Sequence, residues 1–259
     1  MKKFSWKIIT AKCLAHSLAI SLCSLAAAYG FVLFQEYQSG IPWSEPKAVD
    51  PGSSDIPPSD AVILFDGKDL SQWVDSQWIV KDGYAIANGA DMKTEQSFGD
   101  CQLHLEWAAP EVTDPNDAWR GNSGVFLMGA YEVQILDSYR NEVPFDCQAG
   151  AIYKQRPPLV NACRKPGEWQ TYDIIFIAPR FDASGDLEKP GYITVLHNGV
   201  LILNHFEFQG QSAHVAAPVY KPHADKLPLT LQYHHHPVKF RNIWIREFDA
   251  YAKTPTMQQ

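Results

Sequence analysis

A chain of 259 residues with 46% apolar and 12% aromatic side chains carries enough hydrophobic material for a sizeable core, which excludes disorder along its whole length. With 29 acidic against 22 basic side chains and a formal charge of −7, it is disfavoured as a partner of nucleic acid or any other polyanion.

The N-terminus reads Met1, Lys2, Lys3, Phe4, with Lys7 and Lys12 following, and then runs uncharged from Cys13 to Gln35. A basic segment leading into an apolar one marks residues 1–36 as a signal peptide, with an A-x-A site at Ala26-Ala27-Ala28, or as an N-terminal membrane anchor. Leu22 stands before Cys23 where a lipoprotein would need a small residue. Removing residues 1–28 takes away four lysines and leaves 18 basic against 29 acidic side chains, a net of −11. The expected locations are secreted, periplasmic or anchored in the cell envelope, with a membrane tether through this segment left open. Residues 37–59 turn to Pro, Ser, Gly and Asp and read as a linker. Of five cysteines, Cys101, Cys147 and Cys163 lie beyond the leader, which allows one disulfide, Cys147 to Cys163, but no disulfide framework.

From residue 60 to 249 short apolar stretches alternate with turn signals too closely for long helices. They are Ala61–Phe65, Trp78–Val80, Tyr84–Ala87, Gln102–Ala108, Gly124–Met128, Tyr131–Leu136, Tyr172–Ile177, Tyr192–Leu196, Val200–Asn204, Leu229–His234 and Arg241–Phe248. The pattern predicts an all-β sandwich or barrel, followed by a C-terminal tail at 250–259. Asn198-Gly199 supplies the two positive-φ positions of a hairpin turn, and Asp82-Gly83 and Asp66-Gly67 are further turn points. The opening strands are expected to form a meander.

Period two assigns the faces. Tyr131, Val133 and Ile135 share one side and Glu132 and Gln134 the other; Leu229 and Leu231 oppose Gln232 and His234; Leu103, Leu105 and Trp107 oppose His104 and Glu106. A face of Glu, Gln, His and Asn suits a hydroxyl-rich ligand, since each group can donate to or accept from a sugar hydroxyl; a merely solvated face is the competing reading. The small residues of Gly121-Asn122-Ser123-Gly124 permit a close approach of backbone to ligand, or simply a tight corner. In His234-His235-His236 alternation lets at most two imidazoles face one ion, with Glu132 or Glu106 as a carboxylate partner, so a divalent metal is an open option rather than a motif. The remaining histidines, His104, His197, His205, His214 and His223 among them, read as surface or hydrogen-bonding residues. No serine-hydrolase elbow, phosphate loop or dinucleotide fingerprint occurs.

Eight motifs in order carry a family resemblance: Leu64-Phe-Asp-Gly-Lys-Asp-Leu-Ser-Gln-Trp73, Leu105-Glu-Trp107, Gly121-Asn-Ser-Gly-Val-Phe-Leu127, Tyr131-Glu-Val-Gln-Ile-Leu-Asp137, Pro157-Pro-Leu-Val-Asn-Ala162, Pro166-Gly-Glu-Trp-Gln-Thr-Tyr172, Asn198-Gly-Val200 and Phe240-Arg-Asn-Ile243. Over about residues 61–248 the chain resembles the 3-keto-disaccharide hydrolase family. The resemblance implies a concanavalin-like jelly-roll β-sandwich, usually exported, acting on a small-molecule or oligosaccharide glycoside oxidised at C3. It assigns proton transfer to His234 as base and Glu132 as acid or hydrogen-bonding anchor. Glu106, Arg120, Asn122, Gln134 and Gln232 would hold hydroxyls or polarise the ketone, and a divalent ion, if used, would fall to the same His and Glu residues. A noncatalytic carbohydrate-binding module is the alternative on the same sandwich. One departure stands out: relatives carry Gln-Asp-His-Gly where this chain has Gln232-Tyr233-His234-His235.

Overall fold

Two antiparallel sheets face one another in a computed structural model that describes residues 38–53, 56–74, 76–111, 114 and 116–252. The leader and most of the tail lie outside the described residues. All strands fall in one unit, Lys47–Ala252; described residues 38–46 belong to another and carry no regular secondary structure. Among the described residues no helix is long and apolar enough to cross a membrane.

The strands are β1 Val62–Phe65, β2 Trp73–Val74, β3 Ile79–Lys81, β4 Tyr84–Ile86, β5 Met92–Phe98, β6 Cys101–Ala108, β7 Ser123–Leu127, β8 Tyr131–Ile135, β9 Gln170–Ile177, β10 Arg180–Phe181, β11 Leu187–Lys189, β12 Tyr192–His197, β13 Val200–Glu207, β14 Leu227–Leu231 and β15 Lys239–Glu247. The larger sheet runs β13-β12-β9-β6-β15-β4-β3, with β1 also on β15; the smaller runs β2-β5-β14-β7-β8. This is the all-β concanavalin-like jelly-roll sandwich. Asn198 (φ 55) and Gly199 (φ 77) turn β12 into β13, and Asp82 (φ 50) and Gly83 (φ 80) turn β3 into β4.

Three expectations change. The opening strands do not form a meander: β1 pairs with the last strand, β15, and β2 with β5 in the other sheet, which leaves only the β3–β4 hairpin local. β14 stops at Leu231: Tyr233 gives its N–H to Asp91 Oδ1 (2.9 Å) rather than to a neighbouring strand, and His235 leaves the extended region at φ 61. Cys101, Cys147 and Cys163 are all free thiols.

Alternation fills the space between the sheets. Leu103, Leu105 and Trp107 of β6 and Tyr172, Ile174 and Phe176 of β9 meet Val125, Leu127, Tyr131, Val133, Ile135, Leu229 and Leu231 from the smaller sheet, all 2% exposed or less. Tyr131 joins the layers, with ring centroids 5.8 Å from Phe176 and 5.0 Å from Phe208. The Tyr172 hydroxyl donates to Gln134 O (2.8 Å), pinning β8 to the larger sheet. Because Phe176 packs in the middle of this interlayer cluster, Phe176→Ala is expected to lower unfolding stability by about 3–5 kcal/mol, read from the urea midpoint at unchanged m.

Candidate active site

On β8 every residue is buried, the two polar ones included: Glu132 is 6% and Gln134 1% exposed. Tyr131, Val133 and Ile135 point into the core, so Glu132 and Gln134 point out of the sandwich, where an ordinary edge strand would meet water. Here two segments cover them. Residues 150–152 pair with the edge through Gly150 N to Gln134 O (2.8 Å) and Gln134 N to Ala151 O (2.9 Å), and Ser212 Oγ accepts from Glu132 N (3.0 Å). The cover satisfies the strand edge and strips solvent from the carboxyl.

Beneath the cover lies a cavity of about 200 Å³ lined by Asn122, Phe126, Glu132, Gln134, Tyr153, Ser212, Ala213, His214, Gln232 and His234. Five of the residues singled out in the sequence therefore meet: Glu132, Gln134, Asn122, Gln232 and His234. Two alternate along β8; Asn122 sits in the turn before β7; Gln232 and His234 follow β14, with Gln232 N bonded to Gly124 O (2.9 Å). Gly124 leaves room for the carboxyl, since a Cβ there would stand 2.6 Å from Glu132 Oε1 and 2.8 Å from the Phe126 ring.

The polar groups form a run. In the orientation that pairs donors with acceptors, the Gln134 amide nitrogen lies 3.0 Å from both Ser123 O and Glu132 Oε1, and its oxygen 3.3 Å from the Asn122 amide. Asn122 in turn lies 3.4 Å from His234 Nδ1. If Asn122 is turned together with Gln134, its oxygen faces His234 and the imidazole carries its proton on Nδ1; unturned, its nitrogen faces Nδ1 and the proton sits on Nε2. The first tautomer leaves the lone pair on Nε2. At the other end of the run burial pushes the Glu132 carboxyl up to about 8, with repulsion from Asp91 adding to it. Glu132 is thus protonated at neutral pH.

Glu106 and Arg120 do not belong to this group. Glu106 is on β6 between Leu105 and Trp107, both core residues, so it leaves the sandwich through the larger sheet, on the face opposite Glu132; it is held by Arg241 Nε (2.7 Å) and Asn242 Nδ2 (3.0 Å). Arg120 is taken up by Asp137 (Nε to Oδ2, 2.7 Å), and by the carbonyls of Asp117 and Tyr139, fastening the turn before β7. In the other direction, Tyr153 and His214 line the cavity although neither was singled out as a site residue; the Tyr153 hydroxyl and His214 Nδ1 are 3.0 Å apart and their rings are nearly parallel. No spacing signal announces them, since each arrives on an irregular segment. For a divalent ion the donors fit poorly: among the described residues no group of three His, Cys, Asp or Glu side chains is gathered closely enough, and His236 is engaged by Asp117 (3.2 Å).

A jelly-roll sandwich with one small cavity of amide, imidazole and carboxyl groups is built as a carbohydrate-active domain. Residues 60–246 match the model of the 3-keto-alpha-glucoside-1,2-lyase-like domain, and the chain belongs to that family. A crystal structure of a candidate glycosyl hydrolase from Parabacteroides distasonis ATCC 8503 is 42% identical, with a TM-score of 0.76 over 83% of this chain and 95% of that one. Two more from the same organism, at 21% and 23% identity and TM-scores of 0.53, cover 73% of this chain and 94% and 99% of theirs, and share the fold. A search of the curated proteins finds no match.

The raised carboxyl has a thermodynamic consequence. Since folding lifts the Glu132 pKa from 4.5 to about 8, the folded state binds this proton more tightly than the unfolded chain. The penalty for ionising it is absent below about pH 4.5 and grows to the order of 5 kcal/mol above pH 8. Glu132→Gln is therefore expected to be more stable than the parent at pH 9, with the advantage shrinking toward pH 5, in urea titrations across that range.

Proposed function

We propose that the cavity cleaves glycosides already oxidised at C3, by elimination across C1–C2 followed by hydration. The observation that carries this reading is the meeting, in one cavity, of an imidazole and a carboxyl protonated at neutral pH, linked through two amides. A C3 ketone acidifies the C2 proton. His234 Nε2 takes that proton, the C2–H electron pair becomes the C1=C2 bond as the C1–O bond breaks, and Glu132 gives its proton to the departing oxygen. Gln232, which lines the same cavity, supplies an amide donor for the charge that develops on the C3 oxygen during proton removal.

Water then adds across the double bond. Its hydroxyl joins C1, the ionised Glu132 recovers a proton from it, and His234 returns the stored proton to C2, so both residues end as they began. The chemistry differs from ordinary glycoside hydrolysis, in which two carboxylates flank the bond. Here a single buried carboxyl is paired with a base, and separated acid–base strengths in one cavity are what the two-step proton traffic requires. A volume of about 200 Å³ is smaller than a typical drug-sized pocket, which favours one sugar ring inside with the leaving group outside. Export to the periplasm or cell surface, expected from the leader, belongs to the same proposal.

Release of aglycone from a chromogenic 3-keto-glucoside is the test. His234→Ala and Glu132→Gln are each expected to lower kcat by about 10²–10⁴-fold while the far-UV spectrum and binding of the unoxidised glucoside are kept. Parent kcat should fall as pH rises through about 8, where Glu132 loses its proton. Turnover that survives in both variants would remove the assignment.

A further inference from the structure

A second cavity lies well away from the one above. It is a space of about 440 Å³ on the outer face of the larger sheet, on the opposite side of the sandwich from His234, lined by Pro57, Ile63, Phe65, Asp66, Gly83, Glu106, Arg241, Asn242 and Ile243. Its size falls in the range of small-molecule sites.

What builds its polar wall is a β-bulge. The register of β15 against β6 shifts between Arg241 and Trp244, and Asn242 sits at φ 46 within the bulge. In an unbroken strand consecutive side chains leave opposite faces. Across this bulge both Arg241 and Asn242 reach the same carboxylate: Arg241 Nε donates to Glu106 Oε2 (2.7 Å) and Asn242 Nδ2 to Glu106 Oε1 (3.0 Å). The left-handed conformation is tolerable for asparagine and costs stability; it brings the amide to Glu106 at the rim of the cavity and within 3.3 Å of His104 Nε2. Arg241 also lies over the Trp169 ring at 4.2 Å, which holds its plane while leaving the side chain 42% exposed.

Its apolar lining comes from β1 and β15: Ile63, Phe65 and Ile243. Ile63 is 39% exposed. The ends of the space are set by two turns packed on each other, since a Cβ at Gly67 would lie 2.8 Å from Gly83 O. Charge is balanced around it: Glu106 is paired with Arg241, and Asp66 with Lys68. A ligand that offers hydroxyls to a carboxylate, a guanidinium and an amide, and C–H surface to an isoleucine, fits this lining.

We propose that this face is a second saccharide-binding site, taking an uncharged, unoxidised sugar unit of a glycan independently of the His234 cavity. It would let the protein rest on a glycan while the other face of the sandwich works. The two sites sit on different sheets, so occupancy of one leaves the other open.

Titration of the ¹⁵N-labelled chain with maltotriose and with cellotriose reads the site directly. Shifts are expected at Arg241 Nε, the Asn242 side-chain amide and the Gly83 amide. Asn242→Gly, which keeps the positive φ while removing the amide, and Ile63→Tyr, which fills the space from an exposed position, should each weaken that binding at least tenfold with turnover of a 3-keto-glucoside unchanged. Shifts confined to the Asn122 and Gln232 amides, or no shift with either sugar at tens of millimolar, would overturn the proposal. So would variants that fold and bind as the parent does, or variants that lose turnover along with binding, which would make this face part of the reaction site.

Discussion

A strand that buries alternate residues hands the remaining ones to the far side of its sheet, and in a two-layer sandwich those far sides are two separate surfaces facing away from each other. Everything functional here follows from that division. Glu132 and Gln134 leave through the smaller sheet and Glu106 through the larger, with the Trp107, Tyr131 and Phe176 core between them. No side-chain motion brings groups from the two faces together. A polar face assembled from several strands is a single site only when those strands belong to one sheet.

On the smaller sheet the reactive character comes from what covers the strand rather than from the strand itself. β8 is last in the order β2-β5-β14-β7-β8, and an exposed edge would have left Glu132 an ordinary solvated carboxylate. The segment around Gly150–Ile152 closes the edge with backbone hydrogen bonds, and Ser212 and His214 close it from above. The same contacts that protect the sheet from edge pairing thereby withdraw water from the carboxyl and lift its pKa. Structural and chemical demands are met by one arrangement. Gly124 completes it by leaving the carboxyl the space a side chain would take.

Much of this was legible in the residues. Apolar alternation located β6, β8, β9 and β12, and Asn198-Gly199 located the hairpin, because in each case a local rule and the tertiary environment agree. β5 escaped notice because Met92-Lys-Thr-Glu-Gln-Ser-Phe98 spends most of its length on polar residues. Its buried positions, Met92, Thr94 and Phe98, include a threonine whose hydroxyl is satisfied by the Gln96 carbonyl (2.6 Å) and the Leu229 N–H (3.0 Å). Within the cavity, period two found Glu132, Gln134 and Gln232 together, whereas Tyr153 and His214 enter from loops whose paths depend on contacts across the fold. The error over Glu106 has the same origin: alternation gives the face of a strand within its sheet, but which sheet a strand joins is a long-range fact that no local pattern contains.

The departure at Tyr233 looks different in three dimensions. The family resemblance leads one to expect an aspartate beside the histidine; here Asp91, from the segment before β5, stands near this stretch instead, its Oδ1 accepting the Tyr233 N–H at 2.9 Å and its charge felt at Glu132. A carboxylate therefore stands beside this stretch of backbone although residue 233 is not acidic. Its task cannot be the fixing of the imidazole through Nδ1, since Asn122 occupies that side of His234. What remains for it is electrostatic. A negative charge near the cavity raises the affinity of Glu132 for its proton. Glu132 and His234 thus answer to different neighbours, a carboxylate from another strand end for the one and an amide for the other, and neither neighbour is adjacent in sequence to the group it serves.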